Sequence, residues 1–105
     1  MVELEATLCE EVRKYAANGT GINLRLLSVL DAERQTFAVI AIDHPLRKAM
    51  AGVVVLARIA AGHIIIEEDT TDKPLVDALL QRGVPRERIV LAYAGEPLPE
   101  TEQSA

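Results

Sequence analysis

Two links in this chain are too short to leave its topology open. DAERQ, residues 31–35, joins two apolar runs, INLRLLSVL (22–30) and TFAVIAI (36–42). AAG, residues 60–62, joins VVVLARI (53–59) to HIIIEE (63–68). A parallel crossover needs a dozen residues or more, whereas antiparallel neighbours can be joined by two. Each pair therefore reads as a hairpin. The runs are rich in β-branched residues that suit a pleated surface, and Asp31 suits the opening of a turn. TFAVIAI is apolar almost throughout, which predicts a strand covered on both faces. DHPLRKAMAG (43–52) reads as a loop, because Pro45 argues against a strand there.

A helix is expected on each side of this strand run. Leu4, Leu8, Val12 and Tyr15 recur at helical spacing, with Glu3, Glu10, Arg13 and Lys14 on the other face. NGTG at 18–21 is expected to end that helix through a left-handed Asn or Gly. DTTD at 69–72 offers Thr71 or Asp72 as the cap of a second helix, with Pro74 near its first position. Leu75, Val76, Leu79 and Leu80 are expected on one face of it. It should run to about Arg82 and close with Gly83 left-handed, Val84 in hydrophobic contact and Pro85 blocking continuation. PRER then makes a corner and IVLAY a short last strand. The predicted fold class is α+β: an antiparallel four-stranded sheet of two hairpins plus a short last strand, with an N-terminal helix and a helix in the C-terminal half. Residues 1–95 form one domain on this reading, and 96–105 a flexible polar tail.

The 105 residues suffice for one core, and aromatics are only 3% of them, so Ile, Leu, Val and Ala must build it. Two helices leave part of so apolar a sheet uncovered, which implies a homo-oligomer, a dimer or higher. The net charge of −5 disfavours nucleic acid as a direct partner, since affinity for it comes largely from Lys and Arg on phosphates. Arg13/Lys14, Arg47/Lys48 and Arg82/Arg86/Arg88 are the basic clusters. The acidic start reads as no signal peptide, and Arg58 and His63 interrupt the most apolar stretch, so no membrane span is expected and the location is read as cytoplasmic.

Chemistry is thin. His44 stands in the loop beside Asp43, and His63 opens a strand. EEDTTD (67–72) could add carboxylates for a hard cation, but it has no Gly at the sixth position and no Glu at the twelfth of an EF-hand loop. Cys9, the one cysteine, lies beside Glu10 and Glu11, whose charge raises rather than lowers a thiol pKa. Ser28 has no nucleophile elbow around it, and GTG is no phosphate loop. No catalytic, cofactor-binding or metal residue is assigned. Candidate partner contacts are Asp43, His44 and Arg47 in the loop, Asp69, Thr71 and Asp72 in the acidic turn, Arg86 at the corner, and Tyr93 after the last strand.

DAERQTFAVIAID, followed by GVVVLARIAAGHIIIEEDTTDKPLVDALLQRGVPRERIVLAY, resembles the XisI family, the fdxN element excision controlling factors. The resemblance rests on Asp31, Glu33, Arg34 and Phe37, then Gly62 and Ile64, then Asp69 and Thr71. It continues through Gly83, Val84, Pro85, Ile89, Val90, Leu91 and Tyr93. It covers about 70 residues, and the order and spacing of its pieces carry it more than any one piece. There are departures. IDHP replaces an expected Gly-Trp pair, Ile65 replaces an aromatic, DTTD replaces D-G-T-E, and AYA replaces G-F-H. If those aromatics contact a partner, this member has a different partner or a weaker one.

The resemblance implies a non-enzymatic accessory factor without catalytic residues to carry over. It implies action through protein contacts with a XisH-like protein, in support of a site-specific recombinase that excises a DNA element, with DNA contacted only indirectly. The exposed edge of a sheet or the 43–50 loop is expected to supply the contact surface. Two other readings stand beside it. One is a direct DNA-binding factor of the excisionase type, using Arg82, Arg86 and Arg88. The other is a small metal-dependent hydrolase using Asp43, His44 or the acidic turn.

Overall fold

The computed structural model describes residues 3–17 and 20–100. Helix α1 is Leu4–Lys14, followed by strands β1 (Thr20–Gly21), β2 (Leu24–Asp31), β3 (Thr36–Ile42), β4 (Gly52–Ala60) and β5 (His63–Asp69). Helix α2 (Leu75–Gln81) leads through a 3₁₀ turn at Arg86–Arg88 to β6 (Ile89–Leu91) and a second 3₁₀ turn at Ala92–Ala94. The strands form one sheet in sequence order, β1 to β6.

Both predicted hairpins are present. β2 pairs antiparallel with β3 from Asp31↔Thr36 to Arg25↔Ile42. Asp31 accepts the Arg34 N–H at 3.1 Å, which ties the turn. β4 pairs antiparallel with β5. The Ala61–Gly62 link between them has both residues at positive φ, 53° and 73°, the geometry of a two-residue turn that matches strand twist. β3 and β4 also pair antiparallel, so the two hairpins join into one meander.

Two features of the strands differ from expectation. Thr20 and Gly21 fold back on Arg25 and Leu24 as a two-residue strand, so β2 begins at Leu24 rather than Ile22. Asn23 makes this turn at φ 55°, a conformation Asn tolerates better than most side chains. The short last strand, whose orientation the sequence leaves open, runs parallel to β5, because α2 supplies a link long enough to cross over. That strand ends at Leu91, and Ala92–Ala94 turns away. The expected helix stop at Asn18 and Gly19 lies outside the described residues.

Alternation along the strands sorts the sheet into two faces. Phe37, Val39, Val55, Ala57, Ile64 and Ile66 face the helices and pack with Leu8, Val12, Leu75, Leu79, Val84 and Ile89 as one buried cluster. Leu4 and Tyr15 border it, completing the expected stripe on α1. On α2, Leu75 and Leu79 are buried but Leu80 is exposed, so its apolar face is narrower than the spacing suggests. On β3 the expected double cover is realised at Phe37, Ala38 and Val39, while Ile40, Ala41 and Ile42 are half-buried.

Helix α2 closes as expected. The Val84 N–H donates to Leu79 O and the Gly83 N–H to Leu80 O, with Gly83 at φ 93° and Val84 buried. These two bonds satisfy carbonyls that a helix end would otherwise leave open. Its start differs from expectation. Neither Thr71 nor Asp72 caps it; Asp69 Oδ2 accepts the Leu75 N–H at 2.8 Å.

Candidate functional site

The strand directions decide where the candidate residues gather. β3 runs from Thr36 toward the 43–51 loop, β4 returns, and β5 runs back up to Asp69. β6 is parallel to β5, so Tyr93 follows it at that same end. The Ile22–Asn23 turn lies there too, because β2 starts at that end. One end of the sheet therefore carries Asp43, His44, Arg47, Asp69, Thr71, Asp72 and Tyr93. Arg86 is set apart, ahead of β6.

The loop is held by its own polar groups. Asn23 Nδ2 donates to Leu46 O at 2.9 Å, and Asn23 Oδ1 accepts the Leu46 N–H at 2.8 Å, as a neighbouring strand would. Asp43 Oδ2 accepts the backbone N–H of Lys48 at 3.1 Å and of Ala49 at 2.8 Å. The His44–Pro45 peptide is cis, and the side chains of His44 and Arg47 are exposed. So fastened, the loop holds apolar side chains in water: Leu46 is 60% exposed and Met50 94%, with Ile22 of the adjacent turn fully so. Asp43 is thus a loop brace, and the side chains offered outward are His44, Leu46, Arg47 and Met50.

The acidic turn is also braced from within. Asp69 Oδ1 accepts from the Thr71 N–H at 2.9 Å and the Thr71 hydroxyl at 2.6 Å, while Oδ2 holds the first turn of α2. The Tyr15 hydroxyl donates to the Lys73 carbonyl, docking α1 onto this turn. Burial first, then the charges of Asp69, Glu11 and Asp77, push the Tyr15 phenol above its ordinary pKa against a lowering bond from Thr71, so it stays a donor. Tyr93 is raised in the same way, by burial and then by Asp69, Asp77, Glu96 and Glu68. A cleft of ≈ 490 Å³ opens beside Tyr15 between α1 and α2, lined by Glu11, Lys14, Asp72, Lys73 and Asp77 among others. Asp72 alone of the acidic-turn candidates is exposed and makes no bond among the described residues.

Two of the three arginines in the most basic segment are committed to carboxylates. Arg82 reaches Glu10 at 2.7 Å and Glu11 at 2.6 Å, tying α2 to α1. Glu11, only 6% exposed, also meets Lys14 at 2.8 Å. Burial pushes its pKa up, but the bonds and charges of Lys14 and Arg82 outweigh that and hold it below the usual carboxylate value. Arg86 donates to Ile89 O at 2.7 Å and pairs with Glu96 at 2.6 Å. Glu96 in turn accepts the Leu91 N–H at 2.9 Å. This bond first, then Arg86, lowers the Glu96 pKa. Arg88 sits over the Gly62 carbonyl at 3.5 Å. The cluster expected for a DNA contact is thus largely consumed in joining elements.

His44 and His63 lie at opposite ends of the sheet, and His63 Nδ1 is 2.7 Å from Ala61 O. Among the described residues, no three His, Cys, Asp or Glu side chains gather as a metal site would require. Nor is any helix among them long and apolar enough to cross a membrane. Sequence reading missed Asn23, whose turn and amide place the loop, and the exposed trio Ile22, Leu46 and Met50. The Asn-containing turn before an apolar run was the available signal.

A family model described as the XisI protein matches residues 3–103. The fold is similar to that of a crystal structure of a XisI-like protein from Anabaena variabilis ATCC 29413, with TM-score 0.77 and 23% identity, covering 97% of this chain and 92% of the other. It is also similar to fdxN element excision controlling factor XisI from the same organism, with TM-score 0.72 and 22% identity, covering 95% of this chain and 94% of that one. No curated protein matches the sequence.

Proposed function

Because the chain belongs to the XisI family, we propose that it is a cytoplasmic, non-enzymatic accessory factor that works by protein contact. Its partner is a XisH-like protein, and the process it supports is excision of a DNA element. The observation that carries this reading is the family match over nearly the whole chain, with a solved structure of like fold described as an excision controlling factor. The contact surface is the loop end of the sheet, where Ile22, Leu46 and Met50 stand exposed beside His44 and Arg47. Apolar groups rimmed by polar ones mark protein interaction sites. Protein is favoured over DNA as the direct contact because Arg82 and Arg86 are paired with carboxylates.

The test is light scattering coupled to size exclusion, on the chain alone and mixed with the XisH-like protein of its own host. A mixed peak of defined stoichiometry is expected. Separate elution of the two proteins, together with a shift of element-end DNA by this chain alone, overturns the proposal.

A further inference from the structure

The two edges of the sheet are finished differently. At the β6 edge, side chains occupy the backbone: the Arg86 guanidinium takes the Ile89 carbonyl, the Glu96 carboxylate takes the Leu91 N–H, and the two pair with each other at 2.6 Å. At the β2 edge, β1 covers only Leu24 and Arg25. From Leu26 to Asp31 no strand pairs with that edge among the described residues. Unpaired edges usually carry Pro, Lys or a bulge that discourages pairing. Residues 26–30 read LLSVL, and β2 meets β3 without a register shift. The strand is apolar on both sides: Leu27 and Val29 are 42% and 51% exposed on the far face, and Leu30 is 39% exposed on the helix face.

We propose that this edge pairs antiparallel with β2 of a second copy of this chain, about a two-fold axis at Val29. Val29 then faces Val29 of the other copy, Ser28 faces Leu30, and Leu27 faces Asp31, which uses all of the open stretch but Leu26. Odd-numbered residues share the far face, so Asp31 of one copy lies diagonal to Arg25 of the other, within reach of a long side chain. Arg25 makes no ion pair among the described residues. Asp31 is engaged by Arg34, through one N–H and a 3.2 Å ion pair, and by the Glu33 backbone N–H, and a carboxylate can accept further donors. The strand thus offers opposite charges at the two ends of an apolar edge, which matches a second copy running the other way. The pairing joins two sheets into one, with both sets of helices on the same side. It does not depend on the accessory role.

Residues directly opposite in an antiparallel pair have Cα atoms about 4.5–5.5 Å apart, inside the range a disulfide spans. The experiment uses Val29→Cys and Val53→Cys, each in a Cys9→Ser background, alongside the unaltered chain. Val53 shares the far face with Val29 but lies two strands inward, so it reports on face-to-face stacking instead. Expected are a light-scattering mass of twice 11.4 kDa for the unaltered chain, and quantitative cross-linking of the Val29→Cys protein on mild oxidation without cross-linking of Val53→Cys. A one-chain mass at tens of micromolar protein overturns the proposal. So does a two-chain mass in which the Val29→Cys protein fails to cross-link, or in which Val53→Cys cross-links in preference to it.

Discussion

At the scale of single residues, Asp69 does the work that the sequence assigns to Thr71 or Asp72. DTTD offers an acid, two hydroxyls and a second acid, and composition cannot say which will cap α2. The strand decides it: β5 carries its last residue, Asp69, to a point where one oxygen meets Leu75 and the other meets Thr71. Asp69→Ala is therefore expected to cost about 1–2 kcal/mol of stability, and Asp72→Ala less than about 0.5 kcal/mol, as read by urea denaturation. Glu11 is the second residue whose role only contact reveals. Its pKa in the folded chain lies below the ordinary value of 4.5, so its contribution to stability is present above that value and is lost as pH falls through the folded pKa. Replacement by Gln should leave a protein that is less stable at neutral pH and whose stability falls less steeply below about pH 4.5, the ordinary carboxylate range. Thermal melts of both proteins across the acid range check this.

At the scale of elements, link length was the strongest signal and the orientation of the last strand the weakest. Five residues and three residues permit nothing but hairpins, and both formed. The partner of IVLAY was beyond reach, because a short strand after a helix returns to the sheet wherever the helix docks. The Leu79 and Val84 contacts that set this docking join residues far apart in the chain. β1 was invisible for another reason: two residues are too few to show alternation. One hairpin keeps a misfit. Ala61 holds φ 53° in the β4–β5 turn, where a Cβ is crowded and Asn is tolerated. Ala61→Asn is expected to raise stability by about 1 kcal/mol, seen as a higher denaturation midpoint with an unchanged slope. The Gly62 that follows already has the freedom its φ of 73° requires.

At the scale of the whole molecule, the candidate surface was legible as pieces and not as a surface. The 43–50 loop, the acidic turn and Tyr93 each stood out in the sequence, but only the up-down course of β3, β4, β5 and β6 sets them on one end. Met50 is 94% exposed there and lies outside the core cluster. Met50→Asp should leave the melting temperature unchanged while weakening the mixed complex with a XisH-like protein by more than about 1 kcal/mol, roughly fivefold, by calorimetry. DNA binding is expected to be negligible for the chain alone even near 50 mM salt, where phosphate contacts are strongest, in a mobility-shift assay. The Arg86–Glu96 clasp has a consequence for how many molecules can join. A building block with two reactive ends grows into a fibre, and one with a single reactive end stops after one coupling. With one side of its sheet stoppered by its own side chains, the edge pairing proposed above would have a valence of one and, however apolar LLSVL is, would end at a pair.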